Sequence, residues 1–446
     1  MSVGPYPEYK DSGVEWIGAI PKPWSAKRLS FLFRVIGSGT TPPTDGGSYY
    51  DGELPWVTTG ELREAGISDT AKKLTYDALT AFSTLRMYPP GTLLIAMYGA
   101  TIGRLGWLSV SACTNQACCA LAAPQGVIPR FAFFALLAAN EALILLASGG
   151  GQPNINQEKI RAFRLPMPSL IEQEAIAAFL DQETGKIDAL VAEQERLIAL
   201  LKEKRQAVVS QAVTKGLNPN APMKDSGIEW LGQVPAHWEV VRVKQVARLE
   251  SGHTPSKQFS EYWEGGDIDW VSLNDSKHLA ANDYISETKM KITALGMANS
   301  SARLLPEGAV VFTRDATVGL AAITTHPMAV SQHLIAWCPS RAIMALYLLR
   351  VFNIMKPFLD AFTFGATIKT IGMADVGKLI TPLPPIDEQA QILTFLEHEL
   401  PIFDTLITEA TQAITLLRER RAALISAAVT GKIDVRALAT SQPEAA

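Results

Sequence analysis

The chain is written twice. Residues 10–24 read KDSGVEWIGAIPKPW, and residues 224–238 read KDSGIEWLGQVPAHW, 214 positions later. The match continues in order. Ser38-Gly39-Thr40-Thr41-Pro42 returns as Ser251-Gly252-His253-Thr254-Pro255, and Trp56-Val57 as Trp270-Val271. Pro89-x-Gly91 returns as Pro306-x-Gly308, Thr101-Ile102-Gly103 as Thr317-Val318-Gly319, and Gln116 as Gln332. LPMPSLIEQEAI (165–176) returns as TPLPPIDEQAQI (381–392), and VVSQAVTKG (208–216) as LISAAVTGK (424–432). The offset drifts only between 213 and 217, so loop lengths are nearly equal in the two halves. A period this long is a duplicated domain pair and not a solenoid.

Each half has two parts. The first, about 10–165 and 224–381, carries short β-rich runs (LPWVTT, TLLIAMYG, AVVFTR, AAITT) punctuated by Gly and Pro, and one apolar helix, at 131–147 and again near 342–362. It reads as an α+β globular head. The second part, about 169–215 and 385–431, is rich in Ala, Leu, Glu, Lys and Arg and reads as a long helix entered through prolines. The predicted division is 1–166 head, 167–216 helical spacer, 217–382 head, 383–434 helical spacer and 435–446 disordered tail.

Along the spacers, Leu180, Ile187, Leu190, Leu197, Leu201 and Val208 fall on a and d heptad positions, matched by Leu396, Phe403, Leu406, Ala413, Leu417 and Leu424. Gly185 and Pro401 occupy matched places and predict a break or kink in each helix. The uninterrupted part, 186–214, would then be roughly 43 Å long. One such helix cannot hide its stripe from water, but two can hide each other's. Charge favours an antiparallel pair. Asp181 and Glu183 then lie near Arg418, Arg420 and Arg421, and Glu397 and Glu399 near Lys202, Lys204 and Arg205. The expected fold class is therefore α+β, with two pseudo-symmetric heads joined by a pair of long antiparallel α-helices.

Chemistry is thin. GGGQPN at 149–154 lacks the lysine and hydroxyl of a phosphate-binding loop, and GATIGRLG at 99–106 has the wrong spacing for a dinucleotide turn. The six histidines form no metal-ligand pair, all of them lie in the second half, and no G-x-S-x-G is present. Four cysteines form no framework, which fits a reducing, cytoplasmic setting. The apolar stretch at 131–147 contains Asn140 and Glu141 and reads as a buried helix, not a membrane span. The net charge of −4 excludes a polybasic coat, so any nucleic-acid contact must be locally grouped. These observations point away from an enzyme; no catalytic residue, metal ligand or cofactor is expected in this chain.

Two similar heads on an antiparallel rod suit a bipartite ligand, and such a rod approaches the roughly 34 Å turn of B-DNA. The motifs DSGVEWIGAIPKPW and DSGIEWLGQVPAHW, LPWVTT and IDWVSL, YGATIG and RDATVG, LPMPSLIEQEAI and TPLPPIDEQAQI, and AVTKG and AVTGK span about residues 9–434. In this order they resemble the specificity subunits of bacterial type I restriction–modification systems. The resemblance implies two target-recognition domains, each reading half of a split double-stranded DNA sequence, with the helices setting the gap. It also implies methyltransferase (modification) subunits, two of them, and a restriction/translocase subunit as partners. S-adenosylmethionine, ATP and Mg would then belong to those partners. A pseudo-symmetric protein-binding scaffold without DNA reading, and a hydrolase with its site between the heads, stay open as alternatives.

Reading two different half-sites requires the heads to differ. The candidates are polar loop residues where the halves disagree: Thr58, Thr59, Glu61 and Arg63 against Ser272, Asn274, Asp275 and Lys277. At the glycine turn Tyr98 and Arg104 stand against Arg314 and Asp315, and in the glycine-rich loop Gln152 and Asn154 against Lys369. Arg suits guanine, Asn or Gln adenine, and acids cytosine. The recurring residues Trp16/Trp230, Trp24/Trp238 and Trp56/Trp270 are expected in the core or at domain junctions. Gln173 and Gln389 are expected only to start the helices.

Overall fold

The computed structural model describes residues 4–44, 49–147, 154–359, 363–364 and 369–436. It divides into two compact units: Met1–Glu195 with Gln412–Ala446, and Arg196–Thr411. Each takes one head and a part of both long helices.

In the first unit, a five-stranded sheet and a three-stranded sheet form the head. The strands are β1 (Phe33–Ser38), β2 (Tyr50–Val57), β3 (Gly66–Ile67), β4 (Lys73–Leu74), β5 (Leu93–Ala96), β6 (Leu105–Leu108), β7 (Cys113–Thr114) and β8 (Cys118–Pro124). The larger sheet runs β1-β8-β5-β6-β3 and the smaller β7-β2-β4. The run LLIA of β5 is buried at every residue, as expected of a central strand covered on both faces. It is entered through Gly91 at φ +81°, a conformation that favours glycine, and the equivalent Gly308 stands at +79°.

The second unit repeats this plan with β9 (Ala247–Ser251), β10 (Ile268–Val271), β11 (Tyr284–Ile285), β12 (Lys291–Ile292), β13 (Val310–Thr313), β14 (Ala321–Thr324), β15 (Ala329–Val330) and β16 (Leu334–Pro339). Its sheets run β9-β16-β13-β14-β11 and β15-β10-β12, position for position the order of the first unit.

The apolar stretch after β8 is two helices, α1 (Pro129–Ala138) and α2 (Asn140–Leu145), where one was expected. Phe131 to Leu136 are buried in the first unit's core. Among the described residues no helix is long and apolar enough to cross a membrane.

The long helices are α3 (Leu170–Lys215) and, after α4 (Ala345–Leu359) of the second head, α5 (Ile386–Val429). Ser169 and Glu172 start α3 with a reciprocal cap, Ser169 Oγ donating to Glu172 Oε2 at 2.9 Å and the Glu172 N–H donating back to Ser169 Oγ. The expected breaks at Gly185 and Pro401 are corrected: both helices run through. A helical glycine costs only about 1 kcal/mol. Leu400 and Phe403, buried on either side of solvent-facing Pro401, supply more apolar burial than one lost backbone bond removes.

Within each unit the helices are antiparallel. In the first, Ile176 and Leu180 of α3 pack with Ile425, Ala428 and Val429 of α5. In the second, Val209, Ala212 and Val213 pack with Ile392, Leu396 and Leu400. The seam differs from the expected heptad frame by one residue at alternate positions. Leu180, Ile187, Leu396 and Phe403 are buried, and Leu201, Val208, Ala413, Leu417 and Leu424 are half-buried. Leu190, Leu197 and Leu406 face solvent at 52%, 43% and 42% exposure, while their neighbours Val191, Ile198 and Ile407 turn inward. The stripe steps by four where three was expected, and buried Thr184 and half-buried Arg205 stand on it between the apolar residues.

The ion pairs are corrected accordingly. Asp188 and Glu195 take Arg421 and Arg418, and Asp404 takes Arg205; Asp188 and Asp404 lie one to two turns, and Glu195 more than three turns, further along than the expected acids. Asp181 pairs instead with Arg130 of the head, and Glu183 with Lys186 of its own helix.

Gln173 and Gln389 do more than start helices. Each is buried, and its Oε1 accepts the backbone N–H of Ile128 or Met344 in the head, at 2.8 and 2.9 Å. The buried Trp24 and Trp238 donate through Nε1 to Glu172 and Glu388, in the first turn of each long helix. Near the C-terminus, Val435 is buried and Arg436 pairs with Asp434 at 2.6 Å; the rest of the expected tail, 437–446, lies outside the described residues.

Candidate nucleic-acid interface

The ends of the central strands of each head meet at one edge. In the first unit the Asn115 N–H donates to Val57 O, Met97 N to Ala117 O, and Ile155 N to Met97 O at 2.7 Å. The residues after β2, β5 and β7 are thus laced to the start of the segment at 154. In the second unit Ser331 N donates to Val271 O, Arg314 N to His333 O, and Ile371 N to Arg314 O. The edges are alike because backbone bonds build them. Close packing reinforces this: a Cβ on Gly39 or Gly252 would strike the backbone of Thr114 or of Val330 and Ser331.

The structure separates the candidate residues into those engaged by the fold and those on its surface. Glu61 is engaged: Oε2 accepts from Thr58 N at 2.6 Å and Oε1 from Ala71 N at 2.9 Å. Asp275 holds the same post, accepting from Ser272 N and Lys289 N, both at 2.9 Å. With both oxygens committed to backbone, these carboxylates shape the loop, and Thr58 and Ser272 share the task through their hydroxyls. Thr59 is half-buried beside them.

Arg63 and Arg104 are exposed and adjoin, since Glu64 N donates to Leu105 O. Asn274 and Lys277 are exposed. Tyr98 is half-buried and bridges Asn154, which is exposed. Asp315 bridges Thr370, and Ala316 N donates to Lys369 O, which brings Arg314, Asp315 and exposed Lys369 together. Gln152 lies outside the described residues.

Residues treated as matching scaffold also stand on this edge. Gln116 and Gln332 are exposed, and Thr41 donates to Gln116 Oε1 at 2.5 Å as Thr254 does to Gln332 Oε1. His333 follows Gln332 and reaches Asp315 Oδ2 at 2.7 Å. Its signal was legible: Ala117 holds the equivalent place, so the halves differ there. Among the described residues, no group of His, Cys, Asp and Glu is arranged to hold a metal ion. The geometry offers amides, guanidinium and ammonium groups on a rigid loop frame, suited to recognition by hydrogen bonding.

Residues 21–198 and 235–415 each match the type I restriction modification DNA specificity domain. The chain is 24% identical to the type I restriction enzyme MjaIX specificity subunit of Methanocaldococcus jannaschii, over 97% of this chain and 98% of that one. It is 21% identical to the EcoKI specificity subunit of Escherichia coli K12, over 93% and 90%. A solved structure from work on complex assembly and conformational transition of the type I R-M system superposes at a TM-score of 0.72, with 18% identity, covering 92% of this chain and 98% of that one. The HsdS subunit from Thermoanaerobacter tengcongensis gives 0.52 at 16% identity, over 93% and 98%. At these identities the structural likeness concerns the fold.

Proposed function

The chain belongs to the type I restriction modification DNA specificity family, and on that premise we propose that its two heads each read one half of a bipartite double-stranded DNA target. Residues 1–166 and 217–382 are the two target-recognition domains, and 167–216 and 383–434 the spacers that set the gap. The observation that carries this reading is the pairing of like frames with unlike surfaces. Backbone bonds build the same edge in both heads, but the edge carries Arg63, Tyr98, Arg104 and Asn154 in the first head and Asn274, Lys277, Arg314 and Lys369 in the second. A selector of two different half-sites requires that combination.

The exposed Leu190 and Leu416 of the first unit, and Leu197, Leu200 and Leu406 of the second, leave apolar surface on the long helices. This supports their use as docking surface for two methyltransferase subunits. Adenine methylation with S-adenosylmethionine, and cleavage driven by ATP and Mg by a restriction/translocase subunit, belong to partners; this chain is the non-catalytic selector.

The test is a footprint of the chain assembled with its methyltransferase subunit. The selector gives a salt-sensitive complex with two protected patches and an indifferent gap between them. Exchanging residues 25–165 for another head changes the bases of one patch only. A protein scaffold that does not read DNA gives no sequence-dependent protection.

A further inference from the structure

One glutamine stands at the same place on both edges, but the two are held differently. Thr41 Oγ1 donates to Gln116 Oε1, and the next residue, Ala117, has no polar side-chain atom. In the second unit Thr254 makes the equivalent contact to Gln332 Oε1, and the Gln332 amide nitrogen also meets His333 Nε2 at 3.2 Å. The other ring nitrogen, Nδ1, lies 2.7 Å from Asp315 Oδ2. A carboxylate facing Nδ1 keeps the proton there, so Nε2 of the neutral ring carries a lone pair and accepts from the Gln332 amide. The Asp315 side chain is only 13% exposed, which shelters the anchor from water.

A primary amide has two acceptor positions on oxygen and two N–H donors. Thr254 uses one acceptor position and His333 one donor. One lone pair and one N–H remain, the complement of N6–H and N7 on the major-groove edge of adenine. We infer that Gln332 is the adenine-reading side chain of the second head, with Thr254, His333 and Asp315 as positioning residues that orient its amide before DNA arrives. The inference rests on the reading that this edge faces DNA. Because its rotamer is restrained from both ends, Gln332 gives up less side-chain freedom on binding than Gln116. It therefore discriminates more sharply.

The test uses the full chain assembled with its methyltransferase subunit and duplexes randomised across both half-sites, with the bound fraction sequenced. The half-site read by the second head is the one that stays unchanged when residues 25–165 are exchanged. The wild type selects adenine at one position there, and Gln332→Ala lowers that preference by roughly tenfold. His333→Ala and Asp315→Ala lower it several-fold, whereas Asp315→Asn, which still accepts from Nδ1, retains it. The first half-site keeps its bases, and the slope of log affinity against log salt is unchanged because no phosphate contact is lost. If the wild type selects a split sequence and Gln332→Ala selects the same bases as strongly, the inference is overturned while the function stands. If the wild type selects no split sequence, the reading of the edge itself falls, and the inference with it.

Discussion

Arg421 faces Asp188 at 2.9 Å in the first unit, and the residues equivalent to them in the repeat, Arg205 and Asp404, face each other at 2.9 Å in the second. The duplicated helices therefore meet their partners in one register in both units. In each, the arginine lies on the inward stripe and reaches across to an aspartate of the antiparallel neighbour.

Reversing one charge of the second pair, Arg205→Asp or Asp404→Arg, is expected to destabilise the chain, and the double reversal to recover most of the loss. Both side chains keep water contact, so the coupling is about 0.5–1 kcal/mol. A double-mutant cycle by urea unfolding measures it, and additive single effects would remove the pair from the account.

Gln389→Ala withdraws the acceptor of Met344 N–H and the donor to Ala342 O and Pro384 O, all within a buried joint. The cost is expected at about 2–3 kcal/mol, because buried polar groups lose partners that water cannot replace. Gln173→Ala acts alike in the first unit. A loss below the cost of an exposed Gln→Ala change would show that these glutamines do not clamp head to helix.

Asp269 is buried on β10, where the first head has Pro55. Burial pushes its pKa up, but hydrogen bonds from Thr288 and His326 and the Lys291 charge outweigh that and hold it below the usual carboxylate value. Because the folded value is depressed, its contribution is full above the unfolded pKa and is lost as pH falls through the folded one. Unfolding free energy should decline as pH drops below about 4, and Asp269→Asn should flatten part of that decline. Parallel pH curves for the two proteins would refute the assignment.

Burial raises the thiol pKa of Cys113 to about 11 and of Cys119 to about 12, and raises Cys118 as well. Native protein should expose only Cys338, which is half-buried, to a thiol reagent, and slowly; denatured protein should expose all four cysteines. Rapid reaction of more than one thiol in the native state would contradict the packing around β7 and β8.

Inserting seven residues at matched places in α3 and α5, after Glu193 and after Glu409, preserves the stripe and adds about 10 Å, about three base pairs of DNA. The footprint gap should widen by that amount. An unaltered gap would deny the helices their role as ruler.

Comparing the halves was enough to find the duplication, the order of elements and the antiparallel helix pair, because each is written in spacing or in charge along the chain. It also pointed to the loops that the fold gathers at one edge of each head, where the halves keep their frame and differ in most of their polar side chains. Side-chain commitments were not legible there. Glu61 and Asp275 look like base readers among the polar loop residues, yet each accepts one backbone N–H of its own turn and one of a loop 10 or 14 residues away.

What order along the chain established was therefore a periodicity, two heads and a pair of stripes. Which of two adjacent residues faces inward, Leu190 or Val191, was settled when the helices met, because an apolar stripe can advance from Ile187 by three residues or by four. Packing likewise brought Asp315 to His333, eighteen positions away, and so turned an ordinary exposed glutamine into an oriented one. Periodicity is a local property of covalent order; the partner of a polar atom depends on which surfaces the folded chain brings together.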